Sequence, residues 1–324
     1  MKILVTGAGG YIGRHLIQKI REEGHAILPV YRIGSDWGST DLPWIETDLT
    51  NPRCVENCKE LVHELMGGQP IDTVIHLAGR VDINLLPNPE GARLPPVPGP
   101  CDIGALYRDN VLATANVLQY CLKSGVKHLI FASTQAVYGM GDSECSNCGD
   151  RYDAEQEPLE HYAASKRAAE KMLEMGRKQG LAVTILRLPG IFGGDRRNGL
   201  VYNMCRDAVT KKRICVTLPY PIPMNVMHID DVVGALVAAV GWQPPKDTLP
   251  GDMTMDISGE ECSLDLLYEE IACLVPECVC VLSEILRHPF MDFDGEWAPC
   301  QLDWQPKPRK ERLAQMLEEI RRGT

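Results

Sequence analysis

A glycine-spaced turn near the start of the chain limits its fold more than any other feature. Lys2-Ile3-Leu4-Val5-Thr6 reads as a short apolar strand, and Gly7-Ala8-Gly9-Gly10-Tyr11-Ile12-Gly13 leads from it into a helix running to about Glu23. In such a turn the first glycine allows the tight reversal, the second lets backbone approach a pyrophosphate, and the third lets helix and strand pack closely. The helix start then offers unpaired N–H groups and the positive end of its dipole to phosphate. Glycine-rich turns are common, but this one follows a strand, opens a helix and precedes a second strand at residues 26–31. That is the context a dinucleotide site requires, and Gly7, Gly10, Tyr11, Ile12 and Gly13 are expected to line it.

Apolar strands and helical patterns alternate through the first half of the chain, which predicts an α/β fold, a Rossmann-like doubly wound parallel sheet. Strands are expected near 2–6, 26–31, 71–76, 127–132 and 182–188, and helices near 11–23, 53–66, 105–124 and 162–179. Beyond Leu188 the alternation breaks into short pieces separated by Pro219, Pro221, Pro223, Pro244 and Pro245. The expected division is a dinucleotide-binding domain over 1–186 and a smaller mixed α/β substrate lobe over 187–324, with residues near 225–241 returning to the first domain. The Pro-rich run Leu85–Pro100 reads as irregular, either a lid at the carboxyl end of a strand or a solvated insertion. Gly139–Pro158 is a second irregular stretch, and Arg309–Arg322 reads as an amphipathic helix with Leu313, Met316, Leu317 and Ile320 on one face.

At 324 residues, 44% hydrophobic and 24% charged, the chain can bury a substantial core. A net charge of −11 without a separate basic cluster argues against a nucleic-acid surface. No apolar run approaches the length of a membrane span, and Met1 leads straight into the first strand, so a cytoplasmic location is expected. Thirteen cysteines are an odd number, read as reduced thiols. Cys145-x-x-Cys148 and Cys278-x-Cys280 make a poor ligand set for zinc, so no metal is expected.

Tyr162 and Lys166 carry the chemistry. Four residues apart on a helix they share a face, and an ammonium near a phenol favours the phenolate, so the Tyr162 pKa is expected to fall from about 10 towards neutrality. A phenol tuned this way can exchange a proton with a hydroxyl or carbonyl while a cofactor moves a hydride. Alone the pair is unspecific; its place after Ser133-Thr134 and a dinucleotide turn gives it meaning.

Together these residues resemble the extended short-chain dehydrogenase/reductases of the NAD-dependent epimerase/dehydratase group, which mostly act on nucleotide sugars. The matching marks are Gly7-x-x-Gly10-x-x-Gly13, Asp48-Leu49, His76-Leu77-Ala78-Gly79, Asn110-Val111, Ser133-Thr134-x-x-Val137-Tyr138-Gly139, Tyr162-x-x-x-Lys166, His228-Ile229-Asp230-Asp231 and Leu302-Asp303-Trp304-Gln305-Pro306. The resemblance implies that Thr134 holds the reacting oxygen beside the Tyr162 phenol and that Lys166 also binds the nicotinamide ribose. It implies that Asp48 and Leu49 border the adenine, that Leu77, Ala78, Gly79 and Pro189 line the cofactor, and that Asn110 bridges a helix to the active-site strands. For Asp48 and Asn110 a cap or turn role is the plain alternative. A homodimer through the helices near 105–124 and 162–179 is also implied.

Departures from the group narrow the reading. Members that prefer NAD carry an acid at the end of the second strand, whereas this chain has Val30-Tyr31-Arg32. A guanidinium there suits a 2′-phosphate, so NADP(H) is expected, with NAD(H) as the alternative. Dehydratases place Asp-Glu after the catalytic threonine; here Gln135 and Ala136 stand there, which argues against water elimination and leaves Gln135 to contact substrate. Gly190 and Met224 replace an asparagine and a diphosphate-gripping arginine, leaving Arg196, Arg197 and Arg287 as diphosphate partners. The leading expectation is NADPH-dependent reduction of a 4-keto nucleotide sugar. A nucleotide-sugar epimerase is the alternative, followed by a small-carbonyl reductase and a non-catalytic dinucleotide sensor.

Overall fold

The computed structural model describes residues 1–35, 41–81, 102–138, 161–216, 225–242, 254–260, 262, 264–282 and 301–323. The expected Pro-rich lid, the stretch before the catalytic helix, Met224, Arg287, Cys145 and Cys148 lie outside them.

Seven strands form one all-parallel sheet, as the run of apolar strands predicts. They are β1 (Lys2–Thr6), β2 (Ala26–Tyr31), β3 (Ile45–Glu46), β4 (Thr73–His76), β5 (His128–Thr134), β6 (Ala182–Leu188) and β10 (Thr254–Asp256). Their order is β10-β6-β5-β4-β1-β2-β3. The chain winds one way from β1 and the other way from β4, so a crevice opens where β1 and β4 lie side by side, in register from Ile3↔Thr73 to Thr6↔His76. In open sheets of this kind ligands bind at that switch point, beyond the carboxyl ends of the strands. The glycine turn leaves β1 there, and Leu77-Ala78-Gly79 leaves β4 beside it.

Both faces of the sheet are covered, which is why its strands are nearly continuously apolar. On one face α1 (Tyr11–Glu22) and α7 (Ile229–Gly241) pack on Ile3, Val5, Ile75 and Ile130. On the other, α2 (Cys54–Leu65), α4 (Ala113–Ser124) and α5 (His161–Arg177) close over Leu4, Val74, Leu129 and Phe131. The helix expected near 105–124 is in three parts: α3 (Ile103–Tyr107), a π-helical turn over Arg108–Leu112, and α4. Such wide turns often mark functional positions, and Asn110 sits in this one.

A separate apolar cluster joins α6 (Leu200–Lys211), α8 (Leu264–Leu274) and α9 (Arg309–Gly323), with two small parallel sheets. One pairs β7 (Gly190–Phe192) with β9 (Val226–His228), and the other pairs β8 (Arg213–Val216) with β11 (Val279–Leu282). The expected stripe of Leu313, Met316, Leu317 and Ile320 faces this cluster. The His228-Ile229-Asp230-Asp231 run joins it to the large sheet. His228 caps α7 by accepting from the Asp230 N–H at 3.2 Å, and Asp231 takes two hydrogen bonds from Arg312 on α9, at 2.7 and 2.6 Å. Gly193, at φ 95°, lies flat against His228; an added Cβ would come within 2.1 Å of the ring.

Arg312 and Asp231 are both buried, so removing one leaves the other charge uncompensated. Arg312→Leu is expected to lower unfolding stability by about 3–5 kcal/mol, measurable as a fall in denaturant midpoint.

Candidate active site

The glycine turn forms a cradle that no side chain could share. A Cβ on Gly7, whose φ is 71°, would lie 2.6 Å from the Ala78 nitrogen, and one on Gly13 would lie 2.3 Å from the Gly7 carbonyl oxygen. The backbones of β1, α1 and the segment after β4 are thus in contact. The start of α1 has no side-chain cap and no acid in its first turn, which leaves its N–H groups and dipole to an anion. These features fit the pyrophosphate of a dinucleotide.

Around the cradle the other expected cofactor residues take distinct places. Asp48 holds a turn, accepting from the Thr50 N–H at 2.9 Å and from its hydroxyl at 2.7 Å. The Leu49 carbonyl accepts from Asn116 at 2.7 Å. Pro189 is buried at the end of β6. Arg32 is exposed at the end of β2 and makes no ion pair among the described residues. An acid does reach that edge, from β3 instead of β2: Glu46 accepts from the Gly34 N–H at 2.7 Å. Only the pairing of β3 with β2 brings it there.

A chain of polar contacts runs from the cradle to α5. Thr114 donates to the Asn110 carbonyl at 2.6 Å, so it accepts from His76 Nε2 at 2.9 Å, and His76 Nδ1 accepts from Thr6 at 2.7 Å. Burial, aided by the Lys166 charge, holds His76 neutral with its pKa down to about 3. Asn110 accepts from the Arg80 N–H at 2.7 Å, donates to the Arg80 carbonyl at 3.0 Å, and donates to Ser165 at 2.8 Å. Ser165 donates to the Tyr162 carbonyl at 2.7 Å. Asn110 therefore bridges the end of β4 to α5. A Cβ on Gly79 would meet Asn110 Oδ1 at 2.8 Å and Lys166 Nζ at 3.4 Å, which puts the backbone after β4 directly against the lysine.

Tyr162 and Lys166 lie one turn apart on α5 with Thr134 at the end of β5, and the protonation of Tyr162 differs from the sequence reading. Burial pushes the Tyr162 phenol up to about 12, opposed by a side-chain hydrogen bond with Thr134. The expected fall towards neutrality is absent because burial dominates, and Lys166 Nζ donates to the Ala132 carbonyl at 2.9 Å. Burial lowers Lys166 to about 8, partly offset by the Glu170 charge. Gln135 is buried and donates to the Ile257 carbonyl at 3.1 Å. Arg196 stacks over the Tyr11 ring, its guanidinium carbon 5.7 Å from the centroid, so it stands beside the glycine turn.

Several residues of this site were not foreseen from the sequence. Glu170, Arg187 and Asp256 are buried, Glu170 on the same helix as Tyr162 and Lys166. The signals were an arginine inside the apolar strand run Ala182–Leu188 and a glutamate one turn after Lys166 on the same helix face. Among the described residues no group of three or more His, Cys, Asp or Glu could hold a metal ion, and none of the helices is long and apolar enough to cross a membrane.

A profile of the NAD dependent epimerase/dehydratase family matches residues 3–85 and 101–248, more than half of the chain. The chain belongs to the NAD-dependent epimerase/dehydratase family. It is an enzyme of that NAD-dependent family. It is 30% identical over 300 residues to a UDP-N-acetyl-alpha-D-glucosaminuronate decarboxylase of Bacillus cytotoxicus, covering 89% of this chain and 84% of that one. It is also 30% identical over 198 residues to a UDP-glucose 4-epimerase of Azospirillum brasilense, a match spanning 60% of this chain but only 50% of the relative. Among solved structures, MoeE5 in complex with UDP-glucuronic acid and NAD is 25% identical, with a TM-score of 0.70 and full coverage of both chains. The UDP-glucose 4-epimerase of Thermotoga maritima with UDP-glucose shares the fold at a TM-score of 0.75 and 20% identity, covering 100% of this chain and 99% of that one.

Tyr162→Phe is expected to cut turnover by on the order of 10²–10⁴ while leaving cofactor binding intact, since only the proton-transfer group is lost. The Lys166 ammonium is fully present below its pKa of about 8 and is lost as the pH rises through that value. Affinity for a nicotinamide dinucleotide is expected to weaken above that pH, and Lys166→Met to be weak throughout with no such step. Cofactor fluorescence titrated across pH measures both.

Proposed function

We propose that the protein transfers a hydride at C4 of a nucleoside-diphosphate sugar through a 4-keto intermediate, and that its net reaction is epimerisation at that carbon. The observation that carries this reading is the Tyr162–Thr134 hydroxyl pair with Lys166 one turn away, next to a Gln135 tied to backbone. These groups serve oxidation and reduction of an alcohol; the neutral Gln135 and Ala136 supply neither the acid nor the base that water elimination needs. Tyr162 takes the proton of the sugar hydroxyl as the C–H hydride leaves, Thr134 holds the oxygen, and both act in reverse once the keto sugar presents its other face. A nicotinamide, when bound, supplies the hydride acceptor and donor. The Thr134 hydroxyl is the local group that favours the phenolate. Relatives described as UDP-sugar epimerases and a UDP-sugar decarboxylase support a nucleotide sugar as substrate.

Arg32 favours a second reading, net reduction of a 4-keto sugar with NADPH, because an exposed guanidinium at the end of β2 suits a 2′-phosphate. Glu46 at the same edge suits a 2′-hydroxyl and hence NAD(H). In either case residues 1–186, with α7, would bind the dinucleotide, and the α6–α8–α9 lobe would hold the sugar nucleotide with Arg196 as a diphosphate partner. The outward sides of α4 and α5 are the surfaces expected to pair in a homodimer.

Proton NMR of UDP-glucose and UDP-glucuronate incubated with the protein and catalytic NAD⁺ tests the first reading. The expected result is the C4 epimer at equilibrium, without net cofactor consumption and lost in Tyr162→Phe. Stoichiometric NADPH oxidation by 4-keto sugars, with NADPH binding at least tenfold weaker in Arg32→Ala, would move the second reading to first place.

A further inference from the structure

Two consecutive residues at the end of β5 are gripped by different turns of α5, and Thr134 follows them directly. The Ala132 carbonyl accepts from Lys166 and Ser133 donates to Glu170; Thr134, whose Oγ1 accepts from the Ala136 N–H at 3.2 Å, is the hydroxyl that favours the Tyr162 phenolate. Tyr162, Lys166 and Glu170 are spaced by four and therefore lie along one helix face. The hydroxyls of Ser133 and Thr134 differ in kind. Thr134 and Tyr162 are two hydroxyls that must stay free to engage a substrate oxygen. Ser133 and Glu170 are fully enclosed, at 4% and 0% exposure.

Glu170 is itself fixed from three sides. Arg187 on β6 holds it bidentately, Nε to Oε1 at 3.0 Å and Nη2 to Oε2 at 2.7 Å. Arg167 adds a contact at 3.1 Å. Arg187 also donates to the Tyr138 hydroxyl at 2.6 Å, and that hydroxyl donates to Asp256 on β10 at 2.6 Å. Ser133 pairs with Arg187 in the sheet register, one step before Thr134↔Leu188. A rigid, charge-satisfied platform thus clamps the residue immediately before Thr134. The hydroxyl that the platform holds is closed to solvent, so it acts on the site through the strand end that carries Thr134 and through Glu170, whose charge acts on Lys166.

We propose that Ser133 is a positioning residue: anchored by the Glu170–Arg187 platform, it sets the strand end so that the Thr134 hydroxyl stays within hydrogen-bond reach of the Tyr162 phenol. It rests on the reading of Tyr162 as the proton-transfer group, and extends it by naming what keeps the two hydroxyls in register. The Thr134 contact favours the phenolate, so slackening it should raise the Tyr162 pKa. The charged and titratable groups near the pair are Lys166 and Glu170 on α5, His76 on β4, Tyr138 after β5, Arg187 on β6 and Asp256 on β10; Ser133→Ala alters none of their charges.

The test needs no substrate. The protein carries 3-fluorotyrosine, whose more acidic phenol titrates while the fold is intact, and the Tyr162 ¹⁹F resonance is assigned by its loss in Tyr162→Phe. Thr134→Val is expected to raise the Tyr162 midpoint by about 0.5–1 pH unit, the worth of one hydrogen bond to the phenolate. Ser133→Ala should raise it equally, the double variant no further, and Ser133→Thr, which keeps a hydroxyl, should restore it. A wild-type midpoint in Ser133→Ala, or shifts that add in the double variant, would overturn the proposal. If the midpoints behave as expected but no nucleotide sugar turns over, the functional reading fails and the positioning role stands.

Discussion

The ion pair between Glu170 and Arg187 is the interaction on which the placement of α5 against the sheet depends. Both residues are buried between helix and sheet, where removing two charges from water is expensive. The cost is met by geometry: the carboxylate accepts from a bidentate guanidinium, a hydroxyl and a second guanidinium, and Arg187 has the Tyr138 hydroxyl for its remaining side. The burial raises the pKa of Glu170, yet its donors win and hold it below the ordinary carboxylate range. A pair satisfied this fully tolerates one relative placement of α5, β5 and β6, a register that apolar packing alone would leave less specified.

Charge is rationed elsewhere in the site. His76 is kept neutral between two threonines, and Lys166 is the nearby cation, facing the Phe131 ring at 4.6 Å and the Ala132 carbonyl. The neutral chain through Thr6, His76, Thr114 and Asn110 ties β1 to α5 without adding a second charge beside the lysine. The π-helical turn places Asn110 at the centre of that chain, with its carbonyl taken by Thr114 and its side chain free to reach both Arg80 and Ser165.

Much of this was legible in the sequence, for local reasons. Gly7, Gly10 and Gly13 mark the cradle because backbone contact there excludes a Cβ, and the strand and helix positions of the first half follow from hydrophobic period. Tyr162, Lys166 and Asn110 stand out through spacing and family resemblance. What escaped depends on contacts between distant segments. The edge strand β10 is three residues long and carries no period, Glu46 reaches the cofactor edge only through sheet pairing, and the partners of Glu170 come from β5, β6 and its own helix. The protonation of Tyr162 was misjudged because spacing shows which residues are neighbours, but not where the Lys166 ammonium points or how deeply the phenol is buried.

The central claim is that Tyr162 and Thr134 serve a direct hydride transfer at C4 of a nucleotide sugar. It is tested most directly with a UDP-sugar deuterated at C4, followed by NMR and mass spectrometry through turnover by the wild-type protein. Deuterium retained at C4 of the product, or carried onto the nicotinamide with none in solvent, is the predicted result. Deuterium released to water, or a product that has lost water, would contradict it.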